Sequence, residues 1–136
     1  MKILRIQGKN LASIAGEFDI DFTAAPLRSA GIFAICGPTG AGKSTILDAI
    51  CLALFNNMPR TTGIESTKMP DVGQEFIQQG DRRQILRRGT AEAMAAVEFI
   101  AVDEKSYRSV WRVWRANNKI SGKLQPAELR VYPLGD

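Results

Sequence analysis

Gly37-Pro38-Thr39-Gly40-Ala41-Gly42-Lys43-Ser44 has the spacing G-x-x-x-x-G-K-S, in which a loop offers successive backbone N–H groups to phosphate oxygens. Glycines at 40 and 42 permit backbone conformations and a close ligand approach that a β-carbon would block. Lys43 is placed to reach the β- and γ-phosphates, and Ser44 to offer its hydroxyl to Mg2+. The positive end of a following helix adds to the same attraction. The spacing therefore predicts binding of a nucleoside triphosphate with Mg2+. Hydrolysis needs more: a carboxylate on the metal and a group that orients the attacking water. "FIAVDE", residues 99–104, imitates a strand ending on such a carboxylate. Because "SYRSVWRVW" begins two residues later, Asp103 and Glu104 are expected on an exposed hairpin turn, and no catalytic residue is assigned.

A loop of this kind is positioned by a strand before it and a helix after it. "GIFAIC", residues 31–36, is a continuous apolar run and reads as a strand buried on both faces, in the parallel part of an α/β sheet. "KSTILDAICLALF", residues 43–55, is apolar nearly all round, which predicts an enclosed helix ending near Asn56 and Asn57, before Pro59. Upstream, Leu4 and Ile6 alternate with Arg5 and Gln7, and Phe18, Ile20 and Phe22 share one face of "EFDIDF". These predict two antiparallel strands joined through "KNLASIAG". Residues 58–89 are polar and broken by glycine and proline, the pattern of a long mobile loop holding at most a short helix. "AEAMAAVEFIAV", "SYRSVWRVWRA" and "AELRVYP" then predict an antiparallel meander, since the "DEK" connector is too short for a parallel crossover. The fold class is α/β: a P-loop domain with a mixed sheet, one buried helix after the loop and an antiparallel β meander.

A length of 136 residues fits one domain, 1–136. The sequence has no histidine, which removes Ser/His and Cys/His nucleophilic sites and His-ligated zinc together. The apolar run from Ala49 to Phe55 is far shorter than a membrane span, and "MKILRIQGKN" lacks the apolar core of a secretory signal. A cytoplasmic protein with no membrane contact is the expectation. Cys36 and Cys51, both in apolar runs, read as buried free thiols. A net charge of +4 permits a polyanionic partner but is equally met by a solvated basic face.

Three further groups each have a functional and a structural reading. Asp48 is either an outer partner of the metal site or an acid favoured by the helix dipole. Arg82, Arg83, Arg87 and Arg88 are either solvated and salt-bridged or a contact to DNA or a neighbouring subunit. Arg108, Trp111, Arg112, Trp114 and Arg115 interleave basic and aromatic groups as a nucleic-acid platform does. On a strand, however, Trp111 and Trp114 point to opposite faces, which favours packing.

"MKILRIQGKNLASIAGEFDIDF", "GIFAICGPTGAGKSTILDAICLALF", the pair Pro59-Arg60, and "RRGTAEAMAAVEF" followed by "YRSVWRVWRA" resemble, in order and spacing, the amino-terminal end of the SbcC family. These are SMC-like, ABC-type P-loop ATPases that serve as subunits of the SbcCD nuclease. The resemblance implies the amino-terminal lobe of an ATPase head, its carboxy-terminal lobe lying beyond a long coiled coil of the same polypeptide. It implies ATP and Mg2+ as cofactors, with Gly37, Pro38, Thr39, Gly40, Ala41, Gly42, Lys43, Ser44 and Thr45 binding the phosphates and Ser44 on the metal. The backbone from Asn10 to Ser13 is expected to approach the nucleotide, with Ser13 a side-chain candidate. Ala12 stands where relatives often carry arginine. Implied partners are an SbcD-type nuclease subunit, the carboxy-terminal lobe, a second head in an ATP-dependent dimer, and double-stranded DNA ends and hairpins. No signature motif, Walker B strand or histidine switch is found in these 136 residues. The expectation is therefore a fragment that binds ATP without efficient hydrolysis. Two other readings stand beside it: a lobe of another RecF-like, SMC-like or transporter ATPase, and a small complete P-loop kinase or NTPase with "FIAVDE" as its catalytic strand.

Overall fold

The computed structural model describes residues 1–64 and 67–135, so Glu65 and Ser66, within the expected long loop, lie outside the described residues, as does Asp136. Five strands form one sheet in the order β2-β1-β5-β6-β7: β1 (Lys2–Leu11), β2 (Ile14–Asp21), β5 (Glu92–Ile100), β6 (Ser106–Trp114) and β7 (Glu128–Pro133). Every neighbouring pair is antiparallel. Among the described residues a separate hairpin, β3 (Lys68–Pro70) with β4 (Phe76–Gln78), one α-helix, α1 (Lys43–Phe55), and four short 3-10 turns complete the regular elements.

The β1–β2 pairing follows from the alternation in the sequence. Ile6 opposes Ile20 and Gly8 opposes Phe18, so the apolar residues of both strands share a face. Gly8 is required there: a β-carbon would sit 2.2 Å from the Phe18 ring, which lies over the bare backbone. The predicted meander of β5, β6 and β7 forms in full register, with Ala95 opposite Trp111 and Trp111 opposite Leu129.

Helix α1 packs on this sheet through small residues. Ala49 and Ala53 of the helix and Ala93 and Ala95 of β5 are buried together, and Leu11, Leu52, Val97, Trp111 and Val113 fill the layer between helix and strands. Trp111 is fully buried, and its truncation to alanine would cost about 3–5 kcal/mol. The helix ends where expected. Asn56 caps it in the left-handed region, φ 52°, which asparagine tolerates. The Asn56 Oδ1 then accepts from Trp111 Nε1 at 3.0 Å and from Arg82 Nε at 2.9 Å. One side chain thus joins the helix end, the sheet and the following loop.

Three expectations are corrected. Residues 31–36 form no strand: the segment has no ladder partner, Ile32 is 95% exposed, and the five-stranded sheet is wholly antiparallel rather than mixed. An apolar run becomes a buried strand only where other strands flank it, and no described strand lies alongside. Phe33 stacks on Phe22, the residue that follows β2, with ring centroids 4.8 Å apart. For the same reason α1 is not enclosed: Leu47 and Phe55 face solvent at 56% and 69% exposure, and Cys36 is exposed rather than buried. Finally, residues 58–64 and 67–89 hold more regular structure than the expected loop. They form the β3–β4 hairpin, and the expected helix at "RRQILRR" is a single 3-10 turn, Arg82–Ile85. The hairpin is pinned to the end of β6 by Arg115, whose guanidinium donates to both carboxylate oxygens of Asp71, at 2.8 and 2.9 Å.

Candidate nucleotide site

Helix α1 begins directly on the glycine-rich loop. Gly42 caps it in the left-handed region, φ 102°, and Gly40 is also left-handed, φ 81°. A β-carbon at Gly42 would lie 2.6 Å from the Ile14 side chain, so position 42 is closed to other residues both by conformation and by space. Ala41 N–H bonds to the Pro38 carbonyl at 3.1 Å, forming a tight turn, and Lys43 curls over the loop to donate to the carbonyls of Gly37 and Pro38. Amides in the first turn of α1 have no acceptor within the helix and face the loop opening.

These elements enclose a cleft of about 450 Å3 lined by Ala12, Ser13, Thr39, Gly40, Gly42, Lys43, Ser44, Thr45 and Arg60. That volume suits a nucleotide-sized ligand. Of the residues predicted from sequence, Thr39, Gly40, Gly42, Lys43, Ser44, Thr45 and Ser13 come together on the lining. Gly37, Pro38 and Ala41 shape the loop behind it. A second cavity of about 320 Å3 shares Ala12 and Arg60 and continues past Met58, Ile64, Gln79, Gln84 and Ile85.

Arg60, which no motif spacing in the sequence marks for the cleft, lines it as well. Its place depends on Asp48, which lies five residues into α1 on the buried face, 5% exposed, and pairs with the Arg60 guanidinium. Burial pushes the Asp48 carboxyl above its ordinary range, and the Arg60 charge opposes that shift. Asp48 itself does not line the cleft; it pairs with Arg60, which does. It is the anchor of a cation at the cleft. Among the described residues no carboxylate lines the cleft, and no group of three acidic, cysteine or histidine side chains is fit for a metal.

The other candidates lie elsewhere. Asp103 and Glu104 sit on the exposed β5–β6 turn, as expected. Asp103 accepts from Tyr107 Oη at 2.7 Å, and Glu104 has φ 64°, the left-handed residue of the turn. Three of the four clustered arginines are used internally: Arg82 on Asn56, Arg83 on Asp81 and the Gln125 carbonyl, Arg87 on the Ala12 carbonyl. Trp111 is buried, Arg115 is engaged with Asp71, and Arg108 pairs with Glu98. Trp111, Arg108 and Arg115 therefore belong to packing and ion pairing, whereas Arg112 stays exposed, 3.8 Å from Glu92. No helix among the described residues is long and apolar enough to cross a membrane.

Comparison with known proteins agrees with this geometry. Residues 5–131 match the family described as "AAA domain". The chain is 53% identical to the SbcC subunit of the SbcCD nuclease of Pseudomonas aeruginosa, over 98% of its own length and 11% of that protein. It is likewise 53% identical to the Rhodobacter capsulatus protein of the same name, over 92% of this chain and 10% of that one. A probable DNA double-strand break repair Rad50 ATPase of Aquifex aeolicus is 32% identical over 99% of this chain and 11% of its own length. The chain spans about a tenth of the length of the relatives it matches. A nucleotide-binding domain follows from the match and from the loop together. The chain belongs to the SbcC family of AAA-domain, SMC-like ATPases.

Proposed function

We propose that these residues are the amino-terminal lobe of an ATPase head and that the cleft binds ATP with Mg2+. The observation that carries the proposal is the one-sided chemistry of the cleft. It offers first-turn amides, the Lys43 ammonium, the Ser44 hydroxyl and the Arg60 guanidinium, all suited to a polyphosphate, and among the described residues no carboxylate suited to hydrolysis. The residues fit the ligand on a second count: the space at Gly42 and the left-handed loop exclude side chains where phosphate would approach. Gly37 to Thr45 would hold the phosphates, Ser44 would supply a ligand to Mg2+, and Ser13 would face the ligand from the opposite wall. The cavity past Ala12 and Arg60 offers room for the nucleoside. Bound Mg2+ would neutralise charge on the phosphates; orienting and holding them is the work of Lys43 and the loop amides.

The exposure of Ile32, Phe33, Ile35, Leu47 and Phe55 supports the second half of the proposal, that a carboxy-terminal lobe of the same polypeptide covers residues 31–36 and the outer side of α1 and supplies further strands and a catalytic carboxylate. In the whole protein a second head would close on the nucleotide, and an SbcD-type nuclease subunit would join in processing double-stranded DNA ends and hairpins in the cytoplasm. Titration of MgATP into the chain tests the site. Lys43→Ala should weaken binding about a hundredfold, the loss of a charge-assisted phosphate contact in a site that depends on it. Equal affinity of the variant and the wild type rejects the site.

A further inference from the structure

The β1–β2 turn forms one wall of the nucleotide cleft, and the backbone leading into it is left-handed at two positions, one of them an alanine that disfavours that conformation. Asn10 and Ala12 have φ of 52° and 46°. Alanine has no side chain that compensates for the left-handed region. Such a backbone persists only where its surroundings over-determine it.

Residues 85–87 do so. Ala12 N–H donates to the Ile85 carbonyl at 2.7 Å, Arg87 N–H donates to the Asn10 carbonyl at 2.9 Å, and Leu11 bridges to Leu86 between them. The Arg87 Nη1 then donates to the Ala12 carbonyl at 2.9 Å, reaching across 75 residues of sequence. Asn10 braces the base of the turn, donating from Nδ2 to the Glu92 carbonyl and accepting the Gly16 amide on Oδ1, both at 3.1 Å. On its other side the turn rests on the phosphate loop, where the Ile14 side chain fills the space beside Gly42. Ala12 and Ser13 line the cleft, whereas Arg87 does not.

We propose that Arg87 is a positioning residue for nucleotide binding: its guanidinium, bonded to the Ala12 carbonyl, holds the Ala12–Ser13 wall at the separation from Gly42 to Thr45 that the ligand needs. Without that bond the Ala12 carbonyl returns to water, and the turn is free to relax toward right-handed backbone. That movement carries Ser13 and Ile14 away from the loop they face. The inference rests on the reading of the cleft as an ATP site. It concerns how the wall is set, not which groups touch phosphate.

The test uses a full-length protein carrying this segment, with steady-state ATP hydrolysis and MgATP titration for wild type, Arg87→Ala, Arg87→Lys and Lys43→Ala. Arg87→Ala should raise KM and Kd about five- to tenfold at unchanged kcat, the scale of one ordinary hydrogen bond, since the bond acts on the wall and not on the ligand. Arg87→Lys, which retains a donor long enough to reach the carbonyl, should stay within about twofold of wild type. A merely structural role would lower kcat per total protein and leave KM alone, and that result overturns the proposal, as does a wild-type KM and Kd in Arg87→Ala. If Arg87→Ala does not fold, Arg87→Gln, too short to reach Ala12, carries the same expectation and the same overturning result. Lys43→Ala separates the two readings. If it binds ATP as tightly as wild type, the cleft is not the ATP site; if it loses ATP while Arg87→Ala does not, only the role of Arg87 falls.

Discussion

At the scale of single residues, the cleft is set by a few positions where conformation and space allow one side chain. Gly42 is the strictest: its φ of 102° and the Ile14 contact at 2.6 Å act together. Gly42→Ala is expected to cost about 1–3 kcal/mol of stability and to weaken MgATP binding at least about tenfold, measured by denaturant unfolding and by titration. Asp48 shows how a buried acid serves a site it does not line. Its carboxyl is raised in the folded protein, mainly by burial, so the folded state binds its proton more readily than the unfolded chain does. Ionised Asp48 therefore opposes folding above the ordinary aspartate range, and the penalty fades as the pH falls through the raised value. Asp48→Asn should leave neutral-pH stability equal or slightly higher and remove its acid-side recovery, read from unfolding midpoints between about pH 4 and pH 7. The same substitution frees Arg60 and should weaken ATP binding severalfold.

At the scale of elements, ion pairs hold together what short strands cannot. β3 and β4 are three residues each, too short to stand alone, and Arg115 fastens them to the sheet through Asp71. Both side chains are nearly buried, at 10% and 13% exposure. The Arg115 hydrogen bonds hold the Asp71 carboxyl below its usual range, with burial opposing. A lowered folded value means that the stabilisation is complete above the ordinary aspartate range, ~3.9, and is lost as the pH falls below it. Asp71→Ala leaves Arg115 buried without a partner and should cost about 3 kcal/mol, with faster amide exchange confined to residues 68–79. Sequence alone showed the β1–β2 pair, α1 and the three-stranded meander, because each carries its own period or connector length. It did not show β3–β4, whose strands are too short to alternate and depend on Arg115, which follows them by more than thirty residues.

At the scale of the whole molecule, the dominant feature is a set of large apolar side chains without cover. Ile32, Phe33, Ile35, Leu47 and Phe55 belong to segments that read in the sequence as fully buried, and the structure exposes them. The chain alone is expected to bind a fluorescent apolar dye and to self-associate at high concentration in light scattering. Co-expression with the proposed carboxy-terminal lobe should abolish both and bring ATP turnover. Dye binding that persists in the co-expressed complex would count against that lobe as the cover.

The sequence by itself determined the phosphate loop, the helix that follows it, the antiparallel meander and the family, because each is encoded in neighbouring residues by spacing or periodicity. Only the tertiary structure decided the rest. It placed Arg60 at the cleft through Asp48, set Arg87 against the β1–β2 turn, and took Arg82 and Arg83 out of any open basic patch. It also left residues 31–36 outside the sheet. The physical reason is common to all of these: an ion pair, a long-range hydrogen bond or a flanking strand depends on residues far apart in the chain, and local pattern carries no record of which distant group will arrive.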